Sequence, residues 1–262
     1  MEILVCVKRV PDTTENEITL NDTGDLERDD LVYSVNEWDN YAVEEALRIV
    51  EQKGGNVTVI TVGGEDDEEA LRRQMAMGAK KAALICDERF EGSDGAGIAR
   101  LLAAYVKQNH FDLILTGAQA DDGAAQVGGM LAAMLDVPFA SLVNSIELLA
   151  DNKLVAGREI VGGNKEMNEI DMPCVLSIQT GINEPRYVGM RGIRQVASLE
   201  IPSLDASALG VDASKAGKAA AKVVRTDYFV PALGKGAEIL TGKREEIADK
   251  VVELVKAKGG LK

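Results

Sequence analysis

Asn56–Asp87 reads NVTVITVGGEDDEEALRRQMAMGAKKAALICD, and its reading decides the fold. An apolar run rich in β-branched residues ends on Gly63 and Gly64. The acidic stretch Glu65–Glu69 then opens a segment with helical spacing, closed by Gly78, and a second apolar run, AALICD, follows at once. Strand, helix, strand within this span predicts a right-handed crossover joining two parallel strands. The strands are continuous Val/Ile/Leu runs rather than alternating ones, as parallel strands covered on both faces should be.

The same alternation extends both ways. Upstream, EILVCVK predicts a first buried strand, and EITLNDTGDLER a hairpin or loop turning at Asn21–Gly24. A helix is predicted from Asn36, a good N-cap, with Glu37 and Asp39 in its first turn and Gly54 at its end. Downstream, DGAGIARLLAAYVKQNH predicts another helix, FDLILTG a fourth strand, and DDGAAQVGGMLAAMLD a glycine-containing helix. After Pro138 strand runs are separated by turn signals at Asp151–Lys153 and Gly162–Asn164, which predicts an antiparallel addition to the sheet edge. The fold class is therefore α/β, a doubly wound and mostly parallel sheet with antiparallel additions.

Two stretches stand outside this pattern. Residues 177–201, SIQTGINEPRYVGMRGIRQVASLEI, sustain neither a period of two nor one of 3.6 and hold three arginines beside the core of an acidic protein. Residues 201–240 are rich in Ala, Ser, Gly, Lys and Asp and read as an extended, poorly packed arm. A terminal helix follows, with Ile247, Val251, Leu254 and Val255 as its apolar stripe, Thr241 as a possible cap, and Lys256 and Lys258 suiting its C-terminal dipole. The expected division is a nucleotide-binding domain over 1–200, including the segment 183–200, and an arm plus helix over 201–262 that lies against another chain, unless the helix packs back on the body after a long crossing.

Bulk properties narrow the function. The 262 residues carry a formal charge of −14, which argues against nucleic acid or an anionic membrane as the main partner. No apolar run approaches membrane-spanning length, so no membrane insertion is expected. Hydrophobic residues make up 46% and aromatics only 4%, so aliphatic residues and alanine must fill the core. The three cysteines, Cys6, Cys86 and Cys174, all fall in predicted strands without CxxC spacing and suggest buried thiols in a reducing compartment. The opening MEILVCVKRV reads as a strand rather than a leader, and the chain as a cytoplasmic protein of bacterial type.

Open parallel sheets bind ligands beyond the carboxyl ends of their strands, where the strand order reverses. Here those ends are Cys6–Lys8, Val62–Gly64 and the loop after Gly117. Gly117 permits a sharp turn, and Gln126 and Val127 lie at the following helix start, where free N–H groups and the dipole favour a phosphate. Asp121 and Asp122 would repel an anion and could instead face a ribose or cap the helix. Neither GxxxxGK[ST] nor GxGxxG is present. Lys8 and Arg9 could contact phosphate, although exposed charge after a strand is the common case. Catalytic constellations and metal-ligand spacings are missing, and the sole histidine, His110, is expected to cap a helix C-terminus.

Several segments together resemble the beta (small) subunit of electron transfer flavoprotein: VCVKRVPD, SVNEWDNYAVEEAL, LRRQMAMGAKKA, LILTGAQADDGAAQVG and INEPRYVGMRGIRQVASLEI. The similarity runs from residue 1 to the terminal helix, and the last of these segments is specific to the family. It implies a sheet similar to that of the adenine-nucleotide alpha hydrolases, and a heterodimer with an alpha subunit whose mobile domain holds most of the FAD. It implies a structural AMP in the beta subunit, contacted by Cys6, by Asn36, Glu37, Trp38 and Asp39, and by Val62. The strand-four loop would complete the site: Gly117, Ala118, Gln119, Ala120, Asp121, Asp122, Gly123, Ala124, Ala125, Gln126 and Val127. Trp38 falls where the family places an aromatic facing the flavin domain.

By the same resemblance, 183–200 is a recognition loop for a flavin-containing primary dehydrogenase, with Met190 as its apolar anchor. Glu184, Arg186, Tyr187, Arg191 and Arg194 surround the anchor, and Arg191 and Arg194 can steer acidic partners. The implied role is an electron carrier subunit rather than an enzyme: it accepts electrons from the dehydrogenase through FAD and passes them on. Two departures bear on the ligand. The loop after strand four is one residue shorter than the family pattern, and VPDT and AQVG echo an electron-bifurcating branch whose beta subunit binds a second FAD and uses NADH. NEWDNYAVEEAL and EPRYVGMRGIRQ are closer to the AMP-binding branch, which the reading favours. A lone adenine-nucleotide hydrolase or binding protein on a related sheet is the third alternative.

Overall fold

The computed structural model describes residues 1–232, 234 and 236–260; positions 233, 235, 261 and 262 of the expected arm and tail lie outside the described residues. The elements run β1 (Glu2–Cys6), β2 (Arg9–Pro11), β3 (Tyr33–Val35), α1 (Glu37–Lys53), β4 (Asn56–Val62), α2 (Glu68–Met77), β5 (Lys81–Ile85), α3 (Gly95–Gln108), β6 (Leu113–Gly117) and α4 (Val127–Leu135). They continue with β7 (Phe139–Leu148), β8 (Lys153–Ile160), β9 (Asn164–Asp171), β10 (Cys174–Ile178), α5 (Met190–Val196), β11 (Ser203–Leu204), α6 (Ala206–Leu209) and α7 (Arg244–Ala257).

The main sheet has the order β11-β5-β4-β1-β6-β10-β7-β8-β9. Every pair from β11 to β7 is parallel, and β7–β8 and β8–β9 are antiparallel. The α/β expectation and the antiparallel edge after Pro138 are both met. Chain order runs outward from β1 to β4 and β5, then returns to β6 on the other side of β1. The crevice between the carboxyl ends of β1 and β6 is therefore the switch point.

Alternate residues of each central strand serve opposite cores. Ile3 and Val5 pack with Ala42, Ala46 and Leu47 of α1 and Leu71 of α2. Leu4 packs instead with Leu101 and Leu102 of α3 and Leu131 of α4. This double burial is why β1 shows no period of two. Cys174 is buried, while Cys6, at the end of β1, and Cys86, one residue past β5, are partly so, and all three are free thiols. Burial pushes the Cys174 thiol up to about 12.

The expected poorly packed arm needs correction over its first part. Ser203–Leu204 pair with Leu84–Ile85 as the sheet's edge strand, and Ala206, Leu209 and Ala216 join the core beside α3. The segment is too short to show a period, so composition alone hid it. Two capping expectations change as well. Asn109 is the C-cap of α3, and His110 lies beyond it, exposed, with Nε2 3.1 Å from Asp112 Oδ1. Helix α7 starts after Lys243, whose N–H donates to Glu246 Oε2 at 3.1 Å, so Thr241 is not the cap.

Candidate functional site

Asp39 ties the switch point together. Its buried carboxylate accepts the Lys8 N–H at 2.8 Å and the Gly117 N–H at 3.1 Å, linking the chain just after β1, the end of β6 and the start of α1. Burial pushes Asp39 up to about 7, against the opposing pull of hydrogen bonds from Asn36, Lys8 and Gly117. Burial, then the neighbouring Asp39 charge, also pushes the Cys6 thiol up.

Gly117 is required sterically. A Cβ there would lie 2.3 Å from Asp39 Oδ1 and 2.8 Å from Trp38 Cβ. Trp38 is partly buried, and its indole N–H donates to Gln179 Oε1 at 3.3 Å, just past β10. Asn36 occupies the N-cap position of α1 but makes no side-chain cap; its Nδ2 donates instead to Gln119 O at 2.8 Å. The expected cap thus becomes a strut for the loop after β6. Glu37 is exposed in the first turn of α1.

That loop runs from Ala118 to Gln126, mostly exposed, with Ala125 in the left-handed region at φ 54°. Helix α4 begins at Val127 with no side chain capping it, so Asp121 and Asp122 do not serve as its cap. Asp122 instead faces Lys8 Nζ at 2.5 Å and the Arg225 guanidinium, which also hydrogen-bonds the Asp122 carbonyl. The apparent like-charge obstacle to an anion is therefore partly neutralised. Lys8 is engaged across the crevice, and Arg225 reaches in from the arm, a contact that no local pattern in the sequence signals. The arm is held nearby, where Lys222 N and Val223 N donate to Asp94 Oδ2 at 2.8 and 3.3 Å.

Two buried polar atoms here, Asn36 Oδ1 and Thr116 Oγ1, have no partner among the described residues. Buried polar atoms are nearly always satisfied. Asn36 Oδ1 can only accept and Thr116 Oγ1 can accept or donate, which fits hydroxyl or amino groups of a ligand, while the uncapped α4 start suits an anionic group across the ends of β4, β1 and β6. Cys6 aligns with Ile60 on one side and Thr116 on the other, so Cys6, Val62 and Gly117 sit at adjacent strand ends.

The basic segment lies elsewhere, along α1 and α2. Asn183 is buried and donates to Tyr41 O and Glu45 Oε2, each at 3.0 Å. The Arg186 guanidinium turns inward, 2.8 Å from Glu44 Oε2 and 2.7 Å from Glu51 Oε1. Burial pulls the Glu44 carboxyl upward, but hydrogen bonds from Arg186 and Arg48 outweigh it and leave it below the usual carboxylate range. Arg186 is raised in turn by its bonds to Glu44 and Glu51. An acidic protein can thus hold a basic segment against its body because α1 supplies the countercharge. Beyond this anchor Tyr187 is 92% exposed and Met190 64%, with Glu184, Arg191 and Arg194 also exposed.

A family model for the electron transfer flavoprotein domain matches residues 23–209. The chain is 34% identical over 259 residues to the electron transfer flavoprotein subunit beta of Methylophilus methylotrophus, spanning 97% of this chain and 98% of the relative. It belongs to the electron transfer flavoprotein family. The subunit beta of Thermoanaerobacterium thermosaccharolyticum is 37% identical over 97% of each chain. A caffeyl-CoA reductase–Etf complex subunit of Acetobacterium woodii is 35% identical over 98% of this chain and 99% of its own length. The resemblance carried by the sequence segments is thereby established, and with it a role as an electron-transfer subunit. No described helix of this family member is long and apolar enough to cross a membrane.

Proposed function

We propose that this chain is the beta subunit of a heterodimeric, cytoplasmic electron transfer flavoprotein that binds AMP at the ends of β4, β1 and β6 and docks a flavin-containing primary dehydrogenase through Met190. The observation that carries the nucleotide reading is that two buried atoms lack partners at these strand ends, Asn36 Oδ1 at the start of α1 and Thr116 Oγ1 against the uncapped start of α4. FAD, held mainly by the alpha subunit, supplies the redox chemistry. This chain's residues do the holding. Asp39 fixes the strand ends, Asn36 braces the loop, and Lys8 and the α4 N–H groups favour the phosphate. Counting nucleotides extracted from the co-expressed complex tests this: one FAD and one AMP per heterodimer are expected. Two FAD and no AMP would replace it with the bifurcating reading, which similarity to the caffeyl-CoA reductase–Etf subunit keeps in view.

The C-terminal segment supports the heterodimer. None of α7 is buried, and Val251, Val252, Leu254 and Val255 are exposed on it, as are Phe229, Val230 and Ile239 in the arm. A helix of 14 residues is marginal in water without a surface for its apolar face. We assign that surface to the alpha subunit. Truncation after Leu240 should leave the body's Tm within about 2 °C, since surface changes away from the core shift stability little. It should weaken association with the alpha subunit on gel filtration; an unchanged heterodimer would refute the assignment.

Met190 is the proposed anchor for the dehydrogenase, with Tyr187, Arg191 and Arg194 around it. Arg186 and Glu184 take part through the segment's attachment: Arg186 binds Glu44, and the Glu184 carbonyl accepts from Arg48 at 3.3 Å. Met190→Ala is expected to raise the KM for the donor dehydrogenase about tenfold, the scale of one lost apolar anchor. FAD content should not change. A variant that loses FAD, or keeps the wild-type KM, contradicts the anchoring role.

A further inference from the structure

Helix α5 carries Met190 at its first position and has seven residues, too few to be stable alone. Its support comes from α2. Arg72 Nη1 lies 2.8 Å from Val196 O and 3.1 Å from both Ala197 O and Leu199 O, so one guanidinium nitrogen faces three carbonyls at the end of α5 and just beyond. Helix ends leave such carbonyls without intrahelical partners, and a cation there also opposes the helix dipole. The other side of the guanidinium is fixed by Glu68, one turn earlier on α2, with Nε 2.7 Å from Oε1. Arg72 is thus oriented by its own helix before it meets α5.

Two further contacts seat α5 in the same place. A Cβ at Gly192 would come 2.9 Å from Ala76 O, so only glycine lets the α5 backbone lie against the end of α2. Val196 is buried in the core that includes Leu71 and Met75 of α2. At the other end of the segment Arg186 is held by Glu44 and Glu51 of α1. Between these two arginine clamps the chain exposes Tyr187, Met190 and Ile193.

We propose that Arg72 is a positioning residue for partner docking: it clamps the C-terminal end of α5 and so fixes where Met190 and Ile193 stand. This rests on the reading of 183–200 as the docking segment. Arg72 acts through the main chain of 196–199 rather than through the exposed side chains of the segment. Its donors act on main-chain carbonyls, so a lysine, with three donors and the same charge, retains part of the function. Alanine leaves the carbonyls to water and lets α5 fray.

The test uses the co-expressed complex with Arg72→Ala, Arg72→Lys and Met190→Ala. Trypsin reports on α5 directly, through cleavage after exposed Arg191 and Arg194. Arg72→Ala should speed that cleavage about tenfold, the scale expected for losing hydrogen bonds to a charged group, and Arg72→Lys should restore most of the protection. With a dehydrogenase that reduces the wild-type complex, Arg72→Ala should raise the donor KM with kcat within about twofold, as for lost uniform binding. Lysine should rescue this too. Unchanged cleavage in Arg72→Ala, or lysine no better than alanine, overturns the clamp. If Met190→Ala keeps the wild-type KM, the docking reading fails, while the cleavage rates still judge the clamp. If Met190→Ala raises KM but Arg72→Ala does not, docking stands and the positioning role of Arg72 falls.

Discussion

Asp39→Ala is expected to remove the nucleotide proposed for this site and lower stability by roughly 3 kcal/mol, because two main-chain donors lose their acceptor and each stripped buried donor costs about 1–3 kcal/mol. For a chain of this size that is a fall in Tm of about 6–12 °C. The donors are Lys8 N and Gly117 N, which face each other across the switch point. Without the carboxylate the ends of β1 and β6 are no longer tied to α1. Thermal unfolding of the isolated chain and nucleotide extraction from the complex read the two effects separately. Wild-type nucleotide content would show that the tie is dispensable for binding.

Asp39 also sets a pH signature. Its folded pKa is raised to about 7 from the ordinary 3.8, mainly by burial. The folded chain therefore binds this proton more tightly than the unfolded chain. The resulting stability is fully present below pH 3.8 and is lost as pH rises through about 7. Asp39→Asn removes the titration and nearly keeps the shape, at the loss of one of the two acceptors for Lys8 N and Gly117 N, a cost independent of pH. Its stability curve should be flatter than the wild type's between about pH 4 and 7 by a few kcal/mol in total. Parallel curves would place the Asp39 pKa near its ordinary value.

Gly117→Ala should do comparable damage from the opposite direction. Its methyl carbon would fall 2.3 Å from Asp39 Oδ1 and 2.8 Å from Trp38 Cβ, well inside contact distance, and nothing in the tie can move away cheaply. Overpacking costs about 1–3 kcal/mol and sometimes more; the upper end is expected here because the clash falls on the group that holds both strands. The two substitutions are also coupled. In the Asp39→Ala background the worst clash is gone, so Gly117→Ala should cost at least about 1 kcal/mol less than it does alone. Urea midpoints for the four chains give the coupling; strict additivity would show that Trp38, rather than Asp39, sets the limit.

The strand–helix order was legible because it depends on neighbours. Asn56–Asp87 announces a crossover through one apolar run, one acidic helix start and one terminal glycine. The loop after Gly117 could be placed between the carboxyl end of a parallel strand and a helix start for the same reason, since both are local signals. Side-chain assignments fared differently. Asn36 carries the local marks of a helix cap, yet its amide goes to Gln119. His110 stood where a C-cap could be, but the helix closes one residue earlier. Residues 201–216 lack a repeating pattern because a two-residue strand and a four-residue helix are too short to have one.

The sequence by itself determined the parallel α/β plan, the family and the small residue at position 117, because period, punctuation and motif are written along the chain. Only the tertiary structure decided which charges meet. Gly117 and Asp39 are 78 residues apart, Arg72 and Val196 124, and Arg186 and Glu44 142. No periodicity records such pairings. They exist because the sheet places β1 beside β6 and leaves α1 and α2 as the surface over which the segment 183–200 is laid, so that Arg186, read from the sequence as part of a partner-facing group, is held by Glu44 of α1.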